Sequence, residues 1–363
     1  MSKRILAENS RVVIGVDVHT DSHVVAVKRD GLIIDMVKMA GTDSQWAAYI
    51  RRFPACELHV IYEAGPNGYN LHDCLKALDG EDGRHVFVYL APPAMIPEAA
   101  AKKKIKTDRR DAEKLIVAFE SGGFRPIVVP SLEKRAARQL VRGRDRTKQD
   151  IKKLKNRIHG FVKFHGLGYP EYPRWSDTWR RGLLVAAKAK DPRRLLLSTL
   201  QTEMRALGAM ESLLLVSEKR VGELFLQKGE LGDLLRKLRE VTGIGAVAAS
   251  VIATEVADFH AFDNSDAFAS YTGLVSGARS SGKTTRMGPI TKVGNRRLRW
   301  IFVESAWTWV RYDPAAKAKF EELKARKGAR RAIVAMARRL AVKVYHRVVN
   351  NAPADNPSCL VTA

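Results

Sequence analysis

The chain has 363 residues, too long for one ordinary domain and long enough for two hydrophobic cores joined by a connector. Its 63 Lys and Arg against 39 Asp and Glu give a formal net charge of +24, which predicts a polyanionic partner, by default nucleic acid. Three cysteines without paired spacing argue against a disulfide framework or a zinc finger. The sequence has no apolar run of membrane-spanning length and no apolar signal-peptide core. We therefore expect no membrane segment and a cytoplasmic, nucleoid-associated protein.

Residues 1–125 predict an α/β domain. Val-rich runs at 12–17 and 23–28, followed by "GLIIDMVKMAG", indicate three antiparallel strands with short turns. A helix over "TDSQWAAYIRRF" then precedes a strand, a helix, a strand and a helix in "ELHVIYEAG", "NGYNLHDCLKAL", "HVFVYLAP" and "KTDRRDAEKLIVAFESGG". This βββ-α-β-α-β-α order predicts a mixed sheet covered by helices, of the ribonuclease H-like (RuvC-like) type.

Residues 126–237 predict a helical connector. A basic segment over 132–165 and a second helix from Leu195 to Leu226 flank an irregular, proline-containing stretch. Apolar positions in the basic segment recur four and three apart, at Thr147, Ile151, Leu154, Ile158 and Phe161. The two helices could pair as a hairpin within the chain or as a coiled coil between subunits. A seam this narrow buries little surface alone, so we favour the coiled coil and a homo-oligomer.

Residues 238–363 predict a mainly α-helical domain. Gly243 and Gly245 mark a turn between helices that could present backbone N–H groups to a phosphate. A Gly- and Ser-rich loop, "VSGARSSGKTTRMGPITKVGNRRLRW", is expected to precede two final helices.

Four carboxylates of the first domain are candidates for a metal site: Asp17, Glu63, Asp108 and Asp111. The first and fourth strands of the predicted sheet would be neighbours, which sets Asp17 beside Glu63, while Asp108 and Asp111 share one helix face. Such acids raise one another's pKa unless a cation joins them. Oxygen ligands suit Mg²⁺ or Mn²⁺, and two ions about 4 Å apart would clamp a phosphodiester.

Simpler roles exist for single members of this set. Asp108 and Asp111 could merely complement a helix dipole, whereas Asp17 lies among valines, where a bare carboxylate is unfavourable. Sugar kinases and actin-like ATPases also open with "IGVD", but their next turn is usually Gly-rich and "DVHTDS" contains no glycine.

The serine-rich loop is a candidate nucleic-acid and catalytic segment. Ser280 or Ser281 could serve as a nucleophile on phosphorus, although Ser-Gly pairs are also ordinary turn chemistry and the phosphate-loop pattern is incomplete. Seven cations would hold a phosphate backbone: Arg279, Lys283, Arg286, Lys292, Arg296, Arg297 and Arg299.

The motifs "GVDVHTDSH", "YEAG", "KTDRRDA" and "GLVSGARSSG" with "ITKVGNRRLR" resemble those of the DEDD transposases of the insertion-sequence-110 group. The resemblance implies a recombinase that excises and inserts its element under the guidance of a structured bridge RNA. It further implies that Asp17, Glu63, Asp108 and Asp111 bind Mg²⁺ and that a serine forms a covalent link to DNA. The family serine precedes the glycine of an "SG" pair, which identifies Ser281, with Ser280 as the fallback.

The resemblance also implies the partners. Basic tracts at 102–110, 134–163 and 279–299 are enough to contact donor DNA, target DNA and a guide RNA. We expect the acids and the serine to meet between subunits of a dimer that assembles to a tetramer. Two alternatives stay open: a Holliday-junction-type endonuclease that uses water as nucleophile, and a nucleic-acid-binding regulator with vestigial acids.

Overall fold

A computed structural model describes residues 11–96, 108–281 and 284–351, apart from the side chains of residues 94, 278–281 and 284–287. The chain divides into two compact units, Met1–Val129 and Pro130–Ala363. The finer division at 125 and 237 stays a prediction.

The first unit is a five-stranded mixed sheet with helices. Its strands are β1 (Arg11–Val18), β2 (Ser22–Arg29), β3 (Leu32–Ala40), β4 (Glu57–Glu63) and β5 (His85–Ala91), and its helices are α1 (Asp43–Ile50), α2 (Asn70–Lys76) and α3 (Asp108–Glu120). The strand order is β3-β2-β1-β4-β5. Strand β1 is antiparallel to β2 and parallel to β4, so the predicted element order and the central pairing of the first and fourth strands are confirmed.

Alternation along β1 supplies apolar side chains to both faces of the sheet. One face forms a core with α1 and α2, and the other forms a core with α3. The first core contains Val12, Ile14, Val16, Trp46, Ile50 and Leu75. The second contains Val13, Val24, Ala26, Ile61, Leu115 and Ile116.

Helix α3 approaches β1 closely at Gly15. A Cβ atom on Gly15 would lie 2.0 Å from the backbone oxygen of Ala112 and 2.9 Å from a side-chain carbon of Ile116. No larger residue fits without moving the backbone of α3. The glycine of "VIGVD" therefore determines how near α3 can come to β1.

The second unit begins with three helices, α4 (Leu132–Phe164), α5 (Asp177–Lys190) and α6 (Leu195–Glu223). Helices α4 and α6 pack against each other within the chain, and α5 closes the same core. The predicted seam is buried there, through Ile151, Leu154 and Ile158 of α4 and Leu200, Met204 and Leu207 of α6. Within the described residues, the two long helices therefore pair as a hairpin inside one chain. Their pairing as a coiled coil between subunits stays a prediction.

Helix α5 was missed because prolines surround it. It begins after Ser176, whose hydroxyl accepts a hydrogen bond from the Trp179 N–H at 3.2 Å. Trp179, fully buried, fills the core between α4 and α6. The stretch predicted to be irregular is in part a capped, amphipathic helix.

The rest of the second unit packs around a larger helical core. Its elements are α7 (Glu230–Arg239), α8 (Ala246–Glu255), α9 (Ser265–Thr272), β6 (Ser276–Ser281), β7 (Thr284–Ile290), α10 (Arg296–Tyr312), α11 (Pro314–Lys327) and α12 (Ala329–Val349). Two predictions were wrong: the serine-rich loop is largely the antiparallel hairpin β6–β7, and it is followed, within the described residues, by three helices rather than two. None of the described helices is long and apolar enough to span a bilayer.

Candidate active site

Asp17 lies near the carboxyl end of β1, where the strand leaves the core. It pairs with Val24 of β2, and its side chain is 22% exposed. Burial raises the pKa of the Asp17 carboxyl, and the charges of Asp111 and Asp108 raise it further, while His19 opposes them. The carboxylate thus lies among other charged groups at the end of a buried strand.

Asp108 and Asp111 occupy the first turn of α3, the helix that crosses β1 at Gly15. Asp111 forms an ion pair with Lys114 at 2.5 Å, and the side chain of Asp108 is half exposed. Because the charges of both acids act on Asp17, the packing of α3 on β1 brings three of the four predicted carboxylates into one electrostatic neighbourhood.

Glu63 is the last residue of β4, which lies alongside β1 in parallel. The register pairs Val16 with Tyr62, so Asp17 and Glu63 follow at the same end of neighbouring strands, as the sequence predicted. Glu63 is exposed and does not belong to the closest ligand cluster found among the described residues.

That cluster consists of Asp17, His19 and Asp108, each with one ligand atom within 4.8 Å of the others. The Nε2 atom of His19 lies 3.2 Å from Asp17 Oδ2 and 3.7 Å from Asp108 Oδ2. Two carboxylates and an imidazole are a donor set that suits a divalent metal ion. His19 was not predicted. The available signal was its spacing, since residues two apart in an extended segment point the same way.

A cavity of about 380 Å³ opens beside Asp108. Val24, Met36 and Val37 give it apolar walls, and the cationic residues at its edge are Lys38 and Arg109. Neither cation has an ion-pair partner among the described residues. A phosphate entering here would meet positive charge next to the acids.

Hairpin β6–β7 carries the predicted serines. The register pairs Ser280 with Thr285 and Ser281 with Thr284, which sets Ser281 at the end of β6 where the hairpin turns. The backbone of these residues is described and their side chains are not. Lys283 lies outside the described residues, as do the side chains of Arg279 and Arg286.

The remaining four predicted phosphate contacts divide into two pairs. Lys292 and Arg296 are exposed. Arg299 donates to the backbone oxygen of Thr272 at 3.3 Å, and Arg297 forms ion pairs with Asp145 at 2.5 Å and Glu255 at 2.9 Å. The second pair therefore stabilises the helical unit, a role that the sequence did not predict.

Glu255 is the centre of this buried network. Its side chain is 2% exposed and accepts two hydrogen bonds from Arg142, both 2.8 Å, and one from Asn295 at 3.1 Å. Burial alone would raise the pKa of Glu255, but these hydrogen bonds and the charges of Arg142 and Arg297 hold it below its usual value. The network joins α4, α8 and the start of α10, directly after the hairpin.

A second cavity, of about 930 Å³, lies between the hairpin and α12. Its floor is apolar, with Leu274, Leu323 and Val334, and five cations line it: Lys327, Arg330, Arg331, Arg338 and Arg339. Arg338 is paired with Asp266 at 3.0 Å, whereas Lys327, Arg330 and Arg331 are exposed and lack an acidic partner among the described residues. Sequence reasoning missed these cations. Their signal was "ARRAIVAMARRL", in which two Arg pairs recur eight residues apart, about two helical turns along α12.

Two family models match the chain. A model of DEDD transposases of the IS110 type matches residues 14–166, which include all four acids. The model of the transposase IS116/IS110/IS902 family matches residues 235–321, which include the hairpin.

Individual relatives match along most of the chain. "Putative transposase y4qE" of Sinorhizobium fredii is 29% identical over 316 residues, covering 86% of this chain and 75% of the relative. The transposase for insertion sequence element IS1533 of Leptospira borgpetersenii is 25% identical, covering 94% and 97%. The transposase for IS1111A of Coxiella burnetii is 26% identical, covering 67% and 66%.

Proposed function

The chain belongs to the IS110 family of insertion-sequence transposases, which recombine DNA, and from this premise we propose that it cuts and rejoins DNA at a divalent metal ion held by the acids of its first unit. The observation that carries the proposal is the convergence of Asp17 and Asp108 within the closest ligand cluster. Asp111 and Glu63, at the same end of the sheet, complete the set. Mg²⁺ is the proposed ion, with Mn²⁺ as an alternative.

The donor chemistry fits such an ion. The pKa of Asp17 is raised by burial and by neighbouring acids, and a bound cation would relieve both effects. When bound, the ion would stabilise the charge that develops on the phosphate during transfer. The first unit itself is proposed to have the ribonuclease H-like fold, which its mixed strand order supports.

Residues of this chain would bind and orient the phosphate. Lys38 and Arg109, at the edge of the cavity beside Asp108, would hold its non-bridging oxygens. Because neither side chain has a described acidic partner, binding a phosphate would not require an ion pair to break.

We propose Ser281 as the nucleophile, with Ser280 as the fallback. The Ser281 oxygen would attack phosphorus and lose its proton, while the bond from phosphorus to a sugar oxygen breaks and that oxygen leaves as a hydroxyl. The protein would then be joined to DNA through a phosphoserine diester. The position of Ser281 at the turn of the hairpin supports this role.

Trapping the covalent adduct tests the assignment. Full-length protein, Mg²⁺, guide RNA and labelled donor DNA should give a protein–DNA band on a denaturing gel. Ser281→Ala should abolish the band and the matched control Ser280→Ala should retain it, whereas Asp17→Asn should abolish both cleavage and adduct. An adduct that persists in Ser281→Ala would make the assignment wrong. Cleaved DNA without any adduct would favour the Holliday-junction-type endonuclease.

A structured bridge RNA is the second proposed partner. A cavity of about 390 Å³ on the basic helix α4 has Lys148 and Lys152 at its rim and Trp175 in its wall. Cations together with an aromatic ring are how proteins hold unpaired bases. RNA that copurifies with the protein and maps to sequence flanking its gene would support this partner, and cleavage by RNA-free protein would exclude it.

We also propose a homo-oligomer, a dimer that assembles to a tetramer. Helix α6 leaves Leu213, Leu215 and Val216 between 49% and 68% exposed, and a second subunit could cover such apolar side chains. Light scattering of the purified protein at several concentrations would report the oligomeric state, and a monomer at every concentration would exclude the proposal.

A further inference from the structure

Packing against a hydrophobic core does not explain the position of the His19 side chain. It directly follows β1, and its side chain is 48% exposed, so it contributes little to a core. Its backbone N–H donates to the Ser22 oxygen at 3.1 Å, which fixes the turn into β2. The ring nevertheless turns its Nε2 atom toward Asp17 and Asp108.

The distances from His19 Nε2 to the two carboxylate oxygens match those within one coordination sphere. Around a six-coordinate ion with bonds of about 2.1 Å, adjacent ligand atoms lie about 3 Å apart and opposite ones about 4 Å apart. The separations of His19 Nε2 from the two carboxylate oxygens, 3.2 Å and 3.7 Å, fall within that interval. An ion could therefore sit among all three atoms after small side-chain movements.

We propose that His19 is a nitrogen ligand of the metal ion, which gives this chain a mixed nitrogen and oxygen site in place of one built from carboxylates alone. This inference rests on the proposed function, since it presupposes an ion at Asp17 and Asp108. Carboxylates suit Mg²⁺, whereas imidazole suits the later divalent ions, and affinity rises from Mn²⁺ along that series. The site should thus bind Mn²⁺ more tightly, relative to Mg²⁺, than a site without the imidazole.

The competing role is an imidazolium that merely forms ion pairs with the two acids. Direct observation of metal–nitrogen bonding separates the two roles without any assay of activity. The probe is Mn²⁺ alone, added to untagged full-length protein, with pulsed electron paramagnetic resonance used to detect the magnetic coupling of a directly bound ¹⁴N nucleus.

The wild-type spectrum should show this coupling, and ¹⁵N-labelled histidine should replace it with the ¹⁵N pattern. His19→Gln exchanges the nitrogen donor for an oxygen, so it should keep Mn²⁺ bound, lose the coupling and lower the preference for Mn²⁺ over Mg²⁺ about tenfold. His72→Gln is the matched control, since His72 pairs with Asp73 on α2 and should leave the spectrum unchanged.

The experiment distinguishes a wrong metal site from a wrong role for His19. If Asp17→Asn binds Mn²⁺ as tightly as the wild type, the proposed metal site is itself wrong. If Asp17→Asn loses the ion but the wild type shows no ¹⁴N coupling, or His19→Gln retains it, the site stands and His19 is only an ion-pair partner.

Discussion

The location of Asp17 in the fold disfavours the ionised form of its carboxyl group. Burial raises the pKa of its carboxyl above the ordinary 3.8, with further contributions from Asp111 and Asp108. An acid with a raised pKa holds its proton more tightly in the folded state than in the unfolded state. It therefore lowers the stability of the metal-free protein as the pH rises from about 4 through the raised pKa.

Replacing Asp17 with Asn should have opposite effects with and without metal. In EDTA the variant should gain stability relative to the wild type as the pH rises from 4 to 8, because it has no carboxylate to ionise. With Mg²⁺ at about 100 times its dissociation constant, the wild type should gain about 2.7 kcal/mol that the variant lacks. Urea denaturation at each pH measures the free energy of unfolding with EDTA and with Mg²⁺. A variant less stable than the wild type in EDTA at pH 8 would contradict the expected gain in the absence of metal.

The acids could be predicted from the sequence, whereas for His19 the sequence offered only its two-residue spacing from Asp17. Asp17 stands among β-branched residues, and Asp108 and Asp111 begin a helix, so strand order alone sets them at one end of the sheet. A lone histidine in a polar turn has no such pattern. Its ring orientation depends on the local turn that joins His19 to Ser22, which sequence spacing does not specify.

At the scale of elements, the crossing of α3 over β1 positions two of the acids. Gly15→Ala should push α3 away, because its new Cβ would meet the Ala112 oxygen at 2.0 Å. We expect a loss of about 1–3 kcal/mol in the free energy of unfolding, typical of overpacking, together with weaker Mg²⁺ binding. Denaturant unfolding and calorimetric titration with Mg²⁺ measure the two quantities.

Gly160→Ala is the control for this substitution. Gly160 lies inside α4, and a Cβ there would meet nothing within 4 Å. This change should stabilise the protein by about 0.5–1 kcal/mol, since alanine favours a helix interior over glycine. If Gly15→Ala also stabilised, α3 would not depend on the close approach.

The Glu255 network connects three helices through a buried charge. Glu255→Gln should lower the free energy of unfolding by about 3–5 kcal/mol, because the arginines that face it lose their counter-charge inside the protein. The pKa of Glu255 is depressed, so the wild-type advantage should be present above about pH 4.5 and should fade as the pH falls through the lower pKa of the folded state. Chemical denaturation of the wild type and of Glu255→Gln between pH 3 and pH 7 measures this difference in stability.

An exposed pair supplies the comparison. Glu322 bonds to Lys319 at 2.7 Å, with about half of its side chain exposed. Glu322→Gln should change stability far less than Glu255→Gln does, because water screens an exposed ion pair. Equal losses of stability in Glu255→Gln and Glu322→Gln would show that the buried network contributes no more to folding than an exposed ion pair does.

The elements that the sequence revealed are those with a strong apolar period. Helices α4 and α6 and the strands of the first unit have such periods, and their bounds agree with prediction to within a few residues. Strands β6 and β7 contain mostly glycine, serine, threonine and arginine, so no alternation distinguished them from a loop. Helix α5 was hidden for a different reason, since prolines flank its short apolar face.

At the scale of the whole molecule, the excess of positive charge is not all available to a nucleic acid. Arg142, Arg144 and Arg297 are engaged with buried acids. Lys327, Arg330 and Arg331, around the cavity at α12, have no such acids in the part of the chain that the structure describes. Net charge therefore indicated the class of partner, whereas only the fold distinguishes structural cations from those free to bind.

Removing two of these cations should weaken DNA binding in a salt-dependent way. Arg330→Ala with Arg331→Ala should reduce the slope of log affinity against log salt by about 2, one for each lost phosphate contact. Fluorescence anisotropy over a range of salt concentrations measures the slope. Arg326→Ala is the control, because Arg326 already bonds to Glu322 at 2.9 Å, and an equal change there would show that the cavity is not a binding surface.

Helix α4 belongs to two hydrophobic cores at once. Ala137 and Val141, in its first half, pack into the large helical core, and Ile151 and Ile158, in its second half, pack against α5 and α6. Its 33 residues extend about 50 Å without a break. Because one continuous helix enters both cores, a force that displaces its second half would also be transmitted to the helices packed on its first half.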